Sequence, residues 1–138
     1  MTTEKIFKTN SQFQTVTFDE NTGSWNLIFE DKIYASSTGF WRLIKANKII
    51  IVSFDHGHQF GLPKPLDLIE EIKKQLTGKK LEEIKVIKDI GDLILTISDD
   101  IRIEIYIAST GYETFEFGIE DKRYIGLGSG NIEIIERQ

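Results

Sequence analysis

The chain has 138 residues, 40% of them hydrophobic and 11% aromatic, with nine Phe and no Cys. That suits one globular domain, residues 1–138, burying roughly two-thirds of its unfolded surface without covalent staples. It excludes disulfides, thiolate nucleophiles and cysteine-based zinc sites. The formal charge is −5 and uneven: residues 1–54 carry six Lys/Arg against five Asp/Glu, and residues 55–138 carry eleven against seventeen. An acidic balance disfavours nucleic acid, whose phosphates need a basic face, and it permits a basic partner. The longest apolar run, Ile49-Ile50-Ile51-Val52, is far shorter than a membrane span. The first residues contain no stretch of signal-peptide character. The expected location is therefore the cytoplasm, with no membrane partner.

In chain order, residues 4–8 and 13–18 read as short strands from their β-branched and aromatic content. Trp25, Leu27 and Phe29 alternate with polar residues and predict a half-buried strand. Glu30-Asp31 turns the chain, and Lys32 to Ser37 returns. Thr38-Gly39 breaks that strand, Phe40 to Lys45 begins another, and Ala46-Asn47 is a hairpin tip. Ile49 to Phe54 is apolar on both faces, so it is expected in the middle of a sheet covered on both sides. A helix follows at about 65–77. Pro65 suits the first helical position, Ile69, Ile72 and Leu76 form an apolar stripe, and Gly78 suits the C-terminal cap. Beyond it, strands are expected at 84–88, 93–97, 101–108, 114–119, 122–125 and 132–135. Turns are expected at Asp99-Asp100, Glu120-Asp121 and Gly126 to Gly130. The Ile101, Ile103, Ile105 alternation with Arg102, Glu104 and Tyr106 is the clearest period-2 pattern.

Two segments echo one another. Ser37-Thr38-Gly39-Phe40 matches Ser109-Thr110-Gly111-Tyr112, 72 residues apart, and each follows a strand–turn–strand. This suggests a pseudo-repeat of residues 24–61 and 92–131. The fold class expected is mainly β (α+β): antiparallel meanders forming a sandwich or open barrel, with the helix between two similar β-rich halves. A strongly curved single sheet covered by the helix is the alternative.

Both histidines fall in Asp55-His56-Gly57-His58. On an extended chain His56 and His58 share a face, and Asp55, Asp67 or Glu70 could complete a metal shell. The competing reading is a polar loop bonding local backbone ahead of a helix. No third histidine exists, and no metal or cofactor is expected. Gly126-Leu127-Gly128-Ser129-Gly130 is followed by a strand pattern rather than the helix that a phosphate cradle requires. No nucleophile-elbow pattern is present, and the chain is not read as an enzyme. Trp41, Phe40 and Tyr112 are either core aromatics or recognition anchors.

Four motifs occur together: Phe54-Asp55-His56-Gly57, Phe60-Gly61-Leu62-Pro63-x-Pro65-Leu66-Asp67, Ser109-x-Gly111-Tyr112-Glu113 and Tyr124-Ile125-Gly126-x-Gly128-x-Gly130. In these the chain resembles a group of small bacterial proteins that is similar in size and acidity to the immunity proteins of polymorphic toxin systems. The resemblance implies a non-catalytic protein that binds one toxin domain and blocks it. A basic toxin would suit the nine acids within residues 99–136, which face only Arg102, Lys122 and Arg123. Candidate binding residues are Trp41, Asp55, His56, His58, Tyr112 and Glu113. The alternative is a small-ligand or metal-binding β-domain built on the Asp55–His58 loop.

Overall fold

The computed structural model describes residues 4–107 and 109–137. The fold is mainly antiparallel β: β1 (Lys5–Asp19), β2 (Ser24–Phe29), β3 (Tyr34–Ser37), β4 (Trp41–Lys45), β5 (Lys48–Val52), α1 (Leu68–Leu76), β6 (Lys80–Val86), β7 (Leu93–Ile97), β8 (Ile101–Ile105), β9 (Phe115–Ile119), β10 (Lys122–Gly126) and β11 (Ile132–Glu136). These strands form one 11-stranded sheet in the order β11-β10-β9-β3-β2-β1-β6-β7-β8-β4-β5. The sheet does not close into a barrel. The expected strand end at Ala108 lies outside the described residues. No helix of the described residues is long and apolar enough to cross a membrane.

The hinge of the sheet is β1. The two short strands expected there are one strand of 15 residues. Its first part pairs with β6, from Lys5↔Val86 to Gln12↔Lys80, and its second with β2, from Phe13↔Phe29 to Asp19↔Ser24. Each pairing contains a register shift. An extra residue in a strand reverses which side chains face inward. Accordingly Ser11 and Phe13 are buried before the second shift and Val16 after it. The bend is pinned by the β2–β3 turn: Glu30 N–H donates to the Gln12 carbonyl at 2.9 Å, and Gln12 N–H donates to Glu30 Oε1 at 2.8 Å.

Folding at β1 brings two half-sheets face to face. Phe7, on the β6-paired stretch, lies 5.1 Å from Tyr124 of β10 and 5.9 Å from Phe117 of β9. Trp25 of β2 meets Trp41 of β4 edge-on at 5.3 Å. The two halves and the helix share one hydrophobic core. Here the sandwich is a single folded sheet.

The chain exchanges strands between the halves. After β3 it crosses to deliver β4 beside β8, and after β8 it crosses back to deliver β9 beside β3. The first crossover spans residues 38–40, and the second lies between Ile105 and Phe115. Four hairpin turns have both central residues at positive φ, between 50° and 65°: Asp31-Lys32, Ala46-Asn47, Asp99-Asp100 and Glu120-Asp121. This backbone matches the right-handed strand twist, and Asn and Asp tolerate it best.

Further expectations need correction, the strand expected at 84–88 being β6, Lys80–Val86, among them. The helix begins at Leu68, not at Pro65, because Asp67 caps it: its carboxylate accepts the Ile69 and Glu70 N–H groups at 3.0 and 3.4 Å. Its buried stripe is Leu68, Ile72 and Leu76, with Ile69 packed at the margin. The strand at Ile49 is not central either. β5 is an edge strand in which Lys48, Ile49 and Ile50 are exposed. A register shift against β4, between Leu43 and Ile44, leaves Ile50 unpaired, a bulge of the kind that blunts sheet edges.

Candidate functional site

The loop that carries both histidines is built around the helix N-terminus. After β5 a 3-10 turn, Ser53–Asp55, starts the loop. Gly57 N–H donates to the Leu66 carbonyl at 2.9 Å and Leu66 N–H to the His58 carbonyl at 2.8 Å, which zips the loop to the segment before the helix. His56 Nδ1 accepts the Leu68 N–H at 3.1 Å, and its ring lies edge-on to Phe18 at 4.9 Å and to Trp25 at 5.0 Å. It therefore satisfies a helix N–H that has no partner within the helix. His58 is exposed and stacks on Phe60 at 5.5 Å. Gly57, at φ +82°, turns the chain between them. The two rings thus have different surroundings, contrary to the shared face of an extended chain. Among the described residues no group of three or more His, Asp or Glu could hold a metal ion.

Trp41 is 3% exposed and belongs to the core, where its backbone N–H bonds Ser53 Oγ at 3.0 Å. Asp55 is half-buried and its carbonyl accepts the His58 N–H at 3.0 Å. Ring contacts join Trp41 through Trp25 to His56, so three of the six candidates, Trp41, Asp55 and His56, support the loop from inside.

Tyr112 and Glu113 lie on the other crossover. Tyr112 is 80% exposed. Ser109 Oγ accepts the N–H groups of both Gly111 and Tyr112 at 3.0 Å, so the turn presenting this ring is fixed by local hydrogen bonds. Glu113 lines a notch of about 190 Å3 together with Ser36, Thr38, Thr114 and Glu116. The notch sits where β3 and β9 pair, Ser36 opposite Glu116. The glycine-rich loop supports this region from behind. Gly130 runs so close to the 89–91 loop that a Cβ there would stand 2.2 Å from the Ile90 carbonyl oxygen. Close backbone packing explains that glycine, and β11 rather than a helix follows it.

Each outer face carries a Tyr–Glu–Arg cluster that sequence reading did not single out. On β3, β9 and β10, Tyr34 donates to Glu116, and Arg123 binds the same carboxylate through Nε at 3.1 Å and through a terminal nitrogen at 2.9 Å. Burial and the neighbouring Glu116 push the Tyr34 hydroxyl up to about 12. The hydrogen bond from Arg123 outweighs burial and lowers Glu116. On β4 and β8, Glu104 accepts from Arg42 Nε at 2.8 Å, Arg102 Nε at 3.0 Å and the Tyr106 hydroxyl. Partial burial works to raise Glu104, but those three donors outweigh it and hold the carboxyl at about 2. A signal for three of the four members of this cluster exists in the sequence, since Arg102, Glu104 and Tyr106 alternate along one strand. Arg42 reaches them only through the strand exchange.

No protein-family model, curated protein or solved structure matches this chain. Fold and site define a class only: a folded antiparallel sheet with one capping helix and a pre-ordered, exposed tyrosine turn.

Proposed function

We propose that the protein is a non-catalytic protein-binding module, and specifically a toxin-neutralising immunity protein that engages a basic toxin domain. The observation that carries this reading is Tyr112, 80% exposed on a turn held by Ser109 and flanked by Glu113. Tyrosine is prominent among residues that dominate binding energy, and a pre-ordered turn reduces the entropy lost on docking. Beside it, Glu113 and the Ser36 and Thr38 hydroxyls line a notch suited to a lysine or arginine side chain, with the Glu116 carboxylate already taken by Tyr34 and Arg123. The surrounding acid excess would steer a cationic partner toward it. A ligand site on the Asp55–His58 loop has less support, because His56 Nδ1 is already engaged by Leu68.

The test uses the products of genes adjacent to this reading frame. Each is expressed with the wild-type chain and with Tyr112→Ala and Glu113→Gln, and binding is titrated calorimetrically. The expected result is that a basic toxin domain binds, its toxicity is suppressed, and either substitution weakens binding by about tenfold or more. A toxin domain bound equally well by all three proteins would remove the notch from the account. Absence of any binding neighbour would remove the immunity role.

A further inference from the structure

The outer face of the β6–β7–β8–β4–β5 half departs in charge from the chain as a whole. Strand register places Lys85, Glu104 and Arg42 in one cross-sheet row and Lys8, Glu83 and Arg102 in the next. Four cations stand against two anions there, in a chain of net charge −5. Lys8 is matched by Glu83, so the surplus gathers at the other side of the face. Glu104 binds Arg42 and Arg102 through Nε alone, which leaves the terminal amino groups of both guanidiniums for a second acceptor. Glu104 stays ionised down to about pH 2, so this cluster of one carboxylate and two guanidiniums carries a net positive charge at physiological pH. Its geometry is fixed on the far side as well. Arg42 stands 5.6 Å over the Tyr106 ring, Phe40 stacks on Tyr106 at 5.4 Å, and Phe54 packs on Phe40 at 5.2 Å while remaining 65% exposed.

We infer that this face docks an acidic segment of a partner protein, one side-chain carboxylate bridging Arg42 and Arg102 and a neighbouring apolar side chain lying on Phe54. Two oriented guanidiniums match a carboxylate with several charge-assisted hydrogen bonds. An exposed phenylalanine joined to an arginine by a row of stacked rings has the composition of an interface core. The surface is independent of the Tyr112 notch and opposite to it in sign.

The probe is a synthetic Glu-Glu-Phe-Glu-Glu peptide, titrated at low and at high salt into the full chain and followed by the NMR signals of the arginine Nε–H groups. A Gln-for-Glu peptide and a single-stranded oligothymidine are run in parallel. The variants are Arg102→Gln, at a half-buried position, and Phe54→Ala, at an exposed one, each checked for native unfolding behaviour before titration. The expected result is salt-sensitive binding of the glutamate peptide that shifts the Arg42 and Arg102 signals and weakens about tenfold in Arg102→Gln, with a smaller loss in Phe54→Ala. The Gln peptide should leave the signals unmoved. The inference is overturned if the glutamate peptide leaves the arginine signals unmoved at low salt, or if Arg102→Gln binds it as wild type does. It is also overturned if the oligothymidine binds more tightly than the peptide.

Discussion

The two halves of the sheet use the same parts to different ends. Each outer face holds a carboxylate on a strand brought in or met by the exchange: Glu116 against β3 in one half, Glu104 against β4 in the other. Each carboxylate takes a tyrosine hydroxyl and an arginine. The difference is the second arginine. Among the described residues Glu116 is ion-paired with Arg123 alone, while Arg137 stands 5.9 Å over the Tyr34 ring and Glu133 lies across β10 from Glu116. Glu104 has Arg42 and Arg102, so a positive charge remains. A cross-strand ion pair contributes little to stability at a partly exposed site. What differs between the halves is where the second arginine sits: on the carboxylate in one, over the tyrosine ring in the other.

The comparison breaks most severely if the shared core is opened. Trp41 belongs to the second half and packs on Trp25 of the first. Trp41→Ala should cost about 3–5 kcal/mol, measured by denaturant unfolding, and both clusters should loosen together. A change confined to one half comes from Gly118. A Cβ there would lie 2.3 Å from the Tyr34 ring. Gly118→Ala should displace Tyr34 from Glu116, cost about 1–3 kcal/mol, and return the Tyr34 hydroxyl from about 12 toward 10 in a spectrophotometric titration.

Acid distinguishes the halves from the other side. Glu104 is held at about 2 against an ordinary 4.5. A carboxyl lowered on folding stabilises fully above its unfolded value and loses that contribution as pH falls toward its folded value. The stability it supplies should therefore fade between pH 4.5 and about 2. Glu104→Gln should flatten that part of the stability–pH curve, at a cost near neutrality of about 1 kcal/mol. Tyr112→Ala should have the smallest effect, within about 0.5 kcal/mol by thermal unfolding, since the ring is 80% exposed.

Much of the local structure was legible in the sequence. Ile101, Ile103 and Ile105 all point inward, as their alternation requires. Leu76 and Ile72 lie on the buried side of the helix. Ala46-Asn47, Asp99-Asp100 and Glu120-Asp121 all form the turns their chemistry favours. What escaped was long-range. Ile49-Ile50-Ile51-Val52 resembles a central strand because period-2 logic cannot see a bulge that turns Ile50 out of register at an edge. The joining of residues 4–8 and 13–18 into β1 depends on β6 and β2 taking successive parts of it. The site followed the same division. Of the aromatics weighed as core or anchor, Trp41 is buried and Tyr112 exposed, whereas His56, equally conspicuous, supports the helix through Leu68. Arg42 with Glu104 and Tyr34 with Glu116 are 62 and 82 residues apart and meet only through the strand exchange.

The proposal of protein binding at the tyrosine turn is tested most directly by amide hydrogen exchange of the chain alone and saturated with whichever product of the adjacent genes binds it. The account predicts new protection concentrated at residues 36–38 and 109–116, with the His56 loop unchanged. Protection confined to the His56 loop, or none in residues 109–116 at saturation, would contradict it.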